Sequence, residues 1–151
     1  MTVVSVEIEI EAPAEAVWAH ISDPKNLPHW DKHIETVEGM PATGLDEGVM
    51  YSTVMRFMSV RARIAAEVLE WKPPRRCVIS LSGLLDAVVT STVEPITPEL
   101  TLLEHDVDYH FRGGFLAELA ARSLRLMGGP QMALRHGTLA QKHAIEQAAL
   151  R

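Results

Sequence analysis

The apolar residues of this chain change their period twice, and those two changes bound the fold. From Val3 to Glu11 apolar residues alternate with polar ones. Val4, Val6, Ile8 and Ile10 share one face, as a half-buried strand requires. From Pro13 the spacing becomes helical through Ala16, Val17, His20 and Ile21, and Pro13 suits a first turn, where its missing N–H would have no partner anyway. Asp23-Pro24 ends that helix, because proline disfavours helical geometry in the residue before it. Lys25 to His29 leaves room for one more turn ahead of Trp30. A long strand-like tract follows, and at Gly114 the spacing turns helical again.

Within the strand-like tract the breaks fall at hairpin spacing. Ile34 to Glu38 is short and is followed by the Gly- and Pro-rich loop EGMPATGLDEG. Val49 to Phe57 points Tyr51, Thr53, Met55 and Phe57 inward. Arg61 to Trp71 has good helix formers, yet it sets Ala62, Ile64, Ala66 and Val68 opposite Arg61, Arg63 and Glu67, so it is read as a strand. KPPRR turns the chain into Arg76 to Ser82, with Cys77, Ile79 and Leu81 on one side. SGLLD leads to Ala87–Glu94, and EPITPE to Leu100–Phe111. In that last strand Leu103, His105, Val107, Tyr109 and Phe111 share a face, while Glu104, Asp106, Asp108 and His110 read as solvated. Leu116, Leu119, Ala120 and Met127 then form an apolar stripe. Gly128-Gly129-Pro130 should kink or break the helix, and Met132, Leu139, His143 and Ala144 continue a weaker stripe. The expected product is one α+β domain over residues 1–151: a curved antiparallel sheet, two short helices after its first strand, and a long C-terminal helix that covers the sheet. The short helices close one end, with Trp30 as a plug.

Charge and cysteine content exclude several functions. With 14 basic and 20 acidic residues the net charge is −6, which disfavours non-specific nucleic-acid binding. The single cysteine, Cys77, permits no internal disulfide. No apolar run reaches the ~20 residues needed to span a bilayer, and the first residues lack the basic-then-apolar pattern of a signal peptide. The expectation is a cytoplasmic monomer or homodimer without integral membrane association.

The stretch EIEAPAEAVWAHISDPKNLPHWD, the WKPPRR turn and the final HDVDYHFRGG leading into a long helix resemble the SRPBCC superfamily, the START and birch-pollen-allergen-like helix-grip proteins. Within it the chain is most similar to the bacterial polyketide cyclase/dehydrase-like and lipid-transport group. The resemblance implies a helix-grip fold with an elongated apolar cavity between sheet and C-terminal helix. It does not choose among ligand carriers, polyketide cyclases and oxygenase domains, because fold alone does not fix function.

His105 and Tyr109 are the residues of most chemical interest. They lie two steps apart on the inward face of one strand. They could act as acid and base on an enolisable polyketide, orient a ligand by hydrogen bonds, or bond to each other within the core. Tyr51, Met55, Ile64, Val68, Ile79, Val89, His105 and Tyr109 are expected to line one cavity, closed by Leu116, Leu119 and Leu139, with Thr53 and Ser91 as further polar anchors. Trp18 and Trp30 are read as packing residues of the lid. His29 and His33 lack a third partner for a metal, no cofactor motif is present, and Cys77 reads as a small buried apolar residue. Three functions remain: carrier or sequestering protein for a hydrophobic small molecule (lipid, fatty acid, quinone or polyketide), cyclase or dehydratase using His105 and Tyr109, or a protein–protein adaptor like the chaperone-activating relatives of this fold.

Overall fold

The computed structural model describes residues 2–57, 60–83, 85–126 and 128–150. Met127, assigned above to the apolar stripe, lies outside them, as do the side chains of Phe57 and Leu116. Strand β1 (Thr2–Ile10) leads to α1 (Ala14–Ile21), a short 3₁₀ turn (Pro24–Asn26) and α2 (Leu27–Trp30). Strands β2 (Ile34–Glu38), β3 (Met50–Phe57), β4 (Val60–Lys72), β5 (Arg76–Ser82), β6 (Leu85–Thr97) and β7 (Leu100–Phe111) follow, then α3 (Phe115–Leu126) and α4 (Pro130–Ala149). The seven strands form one curved antiparallel sheet in the order β1-β7-β6-β5-β4-β3-β2. Consecutive strands from β2 to β7 are therefore neighbours joined by hairpins. β1 closes on β7, with Val6 opposite His105 and Ile10 opposite Thr101.

Arg61 to Trp71 is a strand, as its alternation predicts and its helix formers do not. Pairing to β3 and β5 on both sides overrides local propensity. Alternation holds through Val68, then the register with β5 shifts between Val68 and Glu70. The extra residue inverts the faces. Leu69 turns outward and is half-exposed, while Trp71, which strict alternation would place beside Arg61, reaches the inner face. There its ring lies 5.1 Å from that of Trp18, at 54°. Ile10, Val17, Val93, Leu103 and Ile145 join this pair in the main core, under α1 and the end of α4. Thr101 anchors the same corner, its Oγ1 donating to the Ala12 carbonyl at 2.7 Å. Trp18 thus has the packing role expected of it.

The C-terminal helix is interrupted where expected. Gly128 and Gly129 have φ of +91° and +98°, a conformation that costs residues with a Cβ far more than glycine. Pro130 then opens α4 with its φ already set for a helix. The break resets the helical phase, and here the sequence reading needs correction. The buried positions of α4 are Thr138, Gln141 and Ile145, while Leu139 and Met132 are 39% and 41% exposed. Leu139 does not close a cavity. The inward face carries glycine, threonine and glutamine, so a search for apolar residues finds the wrong side of the helix.

Candidate functional site

Between the sheet and α4, with α1, the 3₁₀ turn and α2 as an end wall, lies a chamber of about 300 Å³. The sheet contributes Tyr51, Cys77, Ile79, Val89, Ser91, His105 and Val107. The short helices contribute Ile21, Leu27 and Trp30, and α4 contributes Ala133, Leu134, Gly137, Thr138 and Gln141. Trp30 is therefore a wall of this space as well as a plug. Two smaller apolar chambers adjoin it. One of about 200 Å³ is lined by Val4, Tyr109, Phe111 and Leu124, and another of about 210 Å³ by Met55, Leu85, Phe111 and Ala120. Ala133 borders all three.

Of the residues expected to line one space, Tyr51, Ile79, Val89, Ser91 and His105 do meet in the main chamber. Met55 and Tyr109 lie on the two smaller ones. Thr53, Ile64 and Val68 are buried but do not reach these walls. Ile64 packs with Ala62 and Ala120, and Val68 with Tyr51 and Ala66. Leu119 is half-buried and off the walls. The continuous cavity of the sequence reading is thus three chambers, because large side chains from both layers divide it. Trp30, Leu134, Gly137 and Gln141 were missed. The only available signal for the last two was the phase of α4, which the Gly-Gly-Pro break hides.

His105 and Tyr109 do not act on one another. The Tyr109 ring stacks edge-on against Phe111, with centroids 5.6 Å apart. His105 is held at both ring nitrogens: Nδ1 is 2.7 Å from Ser91 Oγ and Nε2 is 2.8 Å from Gln141 Oε1. A glutamine oxygen only accepts, so His105 Nε2–H donates to it. In the neutral ring Nδ1 is then an acceptor, and Ser91 Oγ–H donates to it. Burial pushes the His105 pKa down, against smaller opposing effects of the Gln141 hydrogen bond and the Asp106 charge. The uncharged ring is the form this site favours. Cys77 sits at the other side of Ser91. Burial raises its thiol to about 11, so it is not a thiolate at neutral pH. Burial likewise pushes the Tyr51 phenol up to about 12, which keeps it a proton donor in hydrogen bonds.

A larger recess of about 530 Å³ at the start of α3 is lined by Arg61, Arg63, Arg112 and Phe115. Its arginines are already paired: Arg61 with Glu35 at 3.0 Å, Arg63 with Glu38, and Arg112 with Asp86 at 2.7 Å. On the outer face of β7, Glu104, Asp106 and Asp108 are half-buried rather than fully solvated. Hydrogen bonding with Asp106 and Glu7 raises Glu104 to about 7. Among the described residues no group of three or more His, Cys, Asp or Glu side chains is arranged to hold a metal ion, and no helix is long and apolar enough to cross a membrane.

Residues 1–129 match the family described as polyketide cyclase / dehydrase and lipid transport. The chain belongs to this family. The match ends at Gly129, where α4 begins. An uncharacterized protein of Mycobacterium tuberculosis is 32% identical over 95 residues, which is 60% of this chain and 66% of that protein, just under two thirds of its length. The fold is that of a START superfamily protein from Mycobacterium smegmatis, at 19% identity and a TM-score of 0.74 over 97% of this chain and 98% of the other. It is equally that of an aromatase/cyclase from Streptomyces, at 14% identity and a TM-score of 0.74 over 99% and 94% of the two chains. A START superfamily protein and an aromatase/cyclase share this fold, so the fold does not choose a role, and the question falls on the walls of the chamber.

Proposed function

We propose that this family member binds a hydrophobic small molecule in the chamber between sheet and α4, and serves as its carrier or sequestering protein. The observation that carries this reading is the chamber itself. Its ~300 Å³ is the lower end of the range for small-molecule sites, its walls are mostly apolar, and two apolar chambers extend it past Ala133. A cyclase or dehydratase built on His105 and Tyr109 is disfavoured by the engagement of both His105 nitrogens and by the packing of the Tyr109 ring against Phe111. An adaptor role would fit a filled core better than one with this much open space. Displacement of a fluorescent apolar probe by candidate lipids and polyketide mimics tests the reading. Saturable binding at one site supports it, and absence of any binding to folded protein refutes it. Native mass spectrometry of protein purified from its own host would name the occupant.

A further inference from the structure

The main chamber contains polar groups whose hydrogen bonds the protein itself does not complete. Gln141 is 5% exposed, and its Oε1 is occupied by His105. That fixes the amide so that its Nε2–H₂ group is turned away from the histidine. Tyr51 is 8% exposed and carries one hydroxyl proton. Neither the Gln141 amide nitrogen nor the Tyr51 hydroxyl has a hydrogen-bond partner among the described residues, and both side chains line the chamber. Both atoms keep some accessible surface, so both face space that a ligand atom can enter. The two hydroxyls of Ser and Thr on these walls are used internally. Ser91 donates to His105, and Thr138 donates to the Leu134 carbonyl at 2.8 Å. A largely buried donor is stabilised by meeting an acceptor, so two such donors on opposite walls describe the occupant's complement.

The charge of the chamber narrows that complement further. No lysine or arginine lines it, and Asp31 does. The histidine on its wall is held uncharged by burial. A carboxylate here would leave water without meeting a cation, which is strongly unfavourable. A neutral oxygen acceptor meets no such penalty.

Resting on the ligand-binding reading above, we propose that the chamber recognises an uncharged carbonyl compound, a ketone, ester or quinone on an apolar ring or chain, whose carbonyl oxygens accept hydrogen bonds from Tyr51 Oη–H and Gln141 Nε2–H. Free fatty acids are excluded as the preferred ligand. Gln141 lies in α4, beyond the residues that match the family.

The test uses three bicyclic probes of one size, 1-tetralone, tetralin and 1-naphthoate, titrated calorimetrically into the full chain. The wild type is expected to bind the ketone at least about threefold more tightly than the hydrocarbon, with the carboxylate weakest. Tyr51→Phe removes one hydroxyl and should weaken the ketone roughly three- to tenfold, the range of one net hydrogen bond, while tetralin is unchanged. Gln141→Glu keeps an acceptor for His105 but replaces the donor with negative charge, and should lose the ketone preference while still binding tetralin. Equal affinity for ketone and hydrocarbon in the wild type, equal loss of both probes in Tyr51→Phe, or tightest binding of naphthoate overturns the proposal and leaves apolar binding standing. Failure of all three probes overturns the ligand-binding reading, and the carbonyl proposal with it.

Discussion

Gly137 offers the most direct test of where a ligand sits. It lies on the inner face of α4, lines the main chamber, and has ordinary helical geometry. A Cβ added there would meet only Trp30 Cζ3, at 3.8 Å, an ordinary van der Waals distance. Gly137→Ala should therefore stabilise the protein. Glycine is about 0.8–1 kcal/mol worse than alanine inside a helix, and nothing in the packing opposes the gain. For a domain of this size such a change raises Tm by roughly 2–4 °C. Gly137→Phe keeps part of the propensity gain and sends about seven heavy atoms into the ~300 Å³ space. At roughly 0.3 kcal/mol of affinity per non-hydrogen atom displaced from a drug-sized ligand, that costs about 2 kcal/mol, or about thirtyfold in Kd. Thermal melts and displacement of a fluorescent apolar probe should thus diverge: alanine more stable with near-normal binding, phenylalanine folded with binding mostly lost. If Gly137→Phe melts as a cooperative fold and still binds the probe with wild-type affinity, the ligand does not occupy this chamber.

Three further expectations follow from burial and charge. Ile145→Ala should cost about 2–5 kcal/mol, because Ile145 is 2% exposed in the main core, whereas Leu139→Ala, on the solvent side of the same helix, should stay within about 0.5 kcal/mol; paired denaturant melts distinguish them. Burial lowers the His105 pKa below the 6.5 of an unfolded chain, so as pH falls through 6.5 the unfolded state takes up a proton that the folded state resists, and stability drops; His105→Gln should flatten the fall in Tm between pH 7 and pH 5, and a wild-type ring shown by NMR to titrate above 6.5 would contradict the argument. Glu104 behaves in the opposite sense: its folded value of about 7 exceeds the ordinary 4.5, so its contribution to stability is full below 4.5 and is lost as pH rises past 7, and Glu104→Gln should raise Tm at pH 8 more than at pH 5.

The local pattern was enough to give the elements and most of the sheet's inner face. Period-two alternation placed Tyr51, Ile79, Val89, Ser91 and His105 on one side of their strands, and antiparallel pairing of neighbouring hairpins brings them to one wall. The Gly-Gly-Pro break and the strand at Arg61 to Trp71 were legible for the same reason: backbone chemistry and side-chain period act within a few residues. Legibility failed where one residue changes the phase. The irregularity between Val68 and Glu70 moves Trp71 from the outer to the inner face, and no turn residue announces it.

The helix break has the larger consequence. After Pro130 the phase of α4 is set by docking onto β1, the short helices and α3, not by continuation of α3. The sequence by itself determined that a helix would cover an antiparallel sheet, because period and length are local properties. Only the tertiary structure decided that Leu139 faces solvent while Gly137 and Gln141 face the chamber. A cavity is the space that packed elements fail to fill, so small and polar residues can line it as well as large apolar ones. Likewise, adjacency on one strand could not say whether His105 and Tyr109 work together. The side chains of the opposite layer separate them, placing His105 against Gln141 and Tyr109 beside Leu124 in a different chamber.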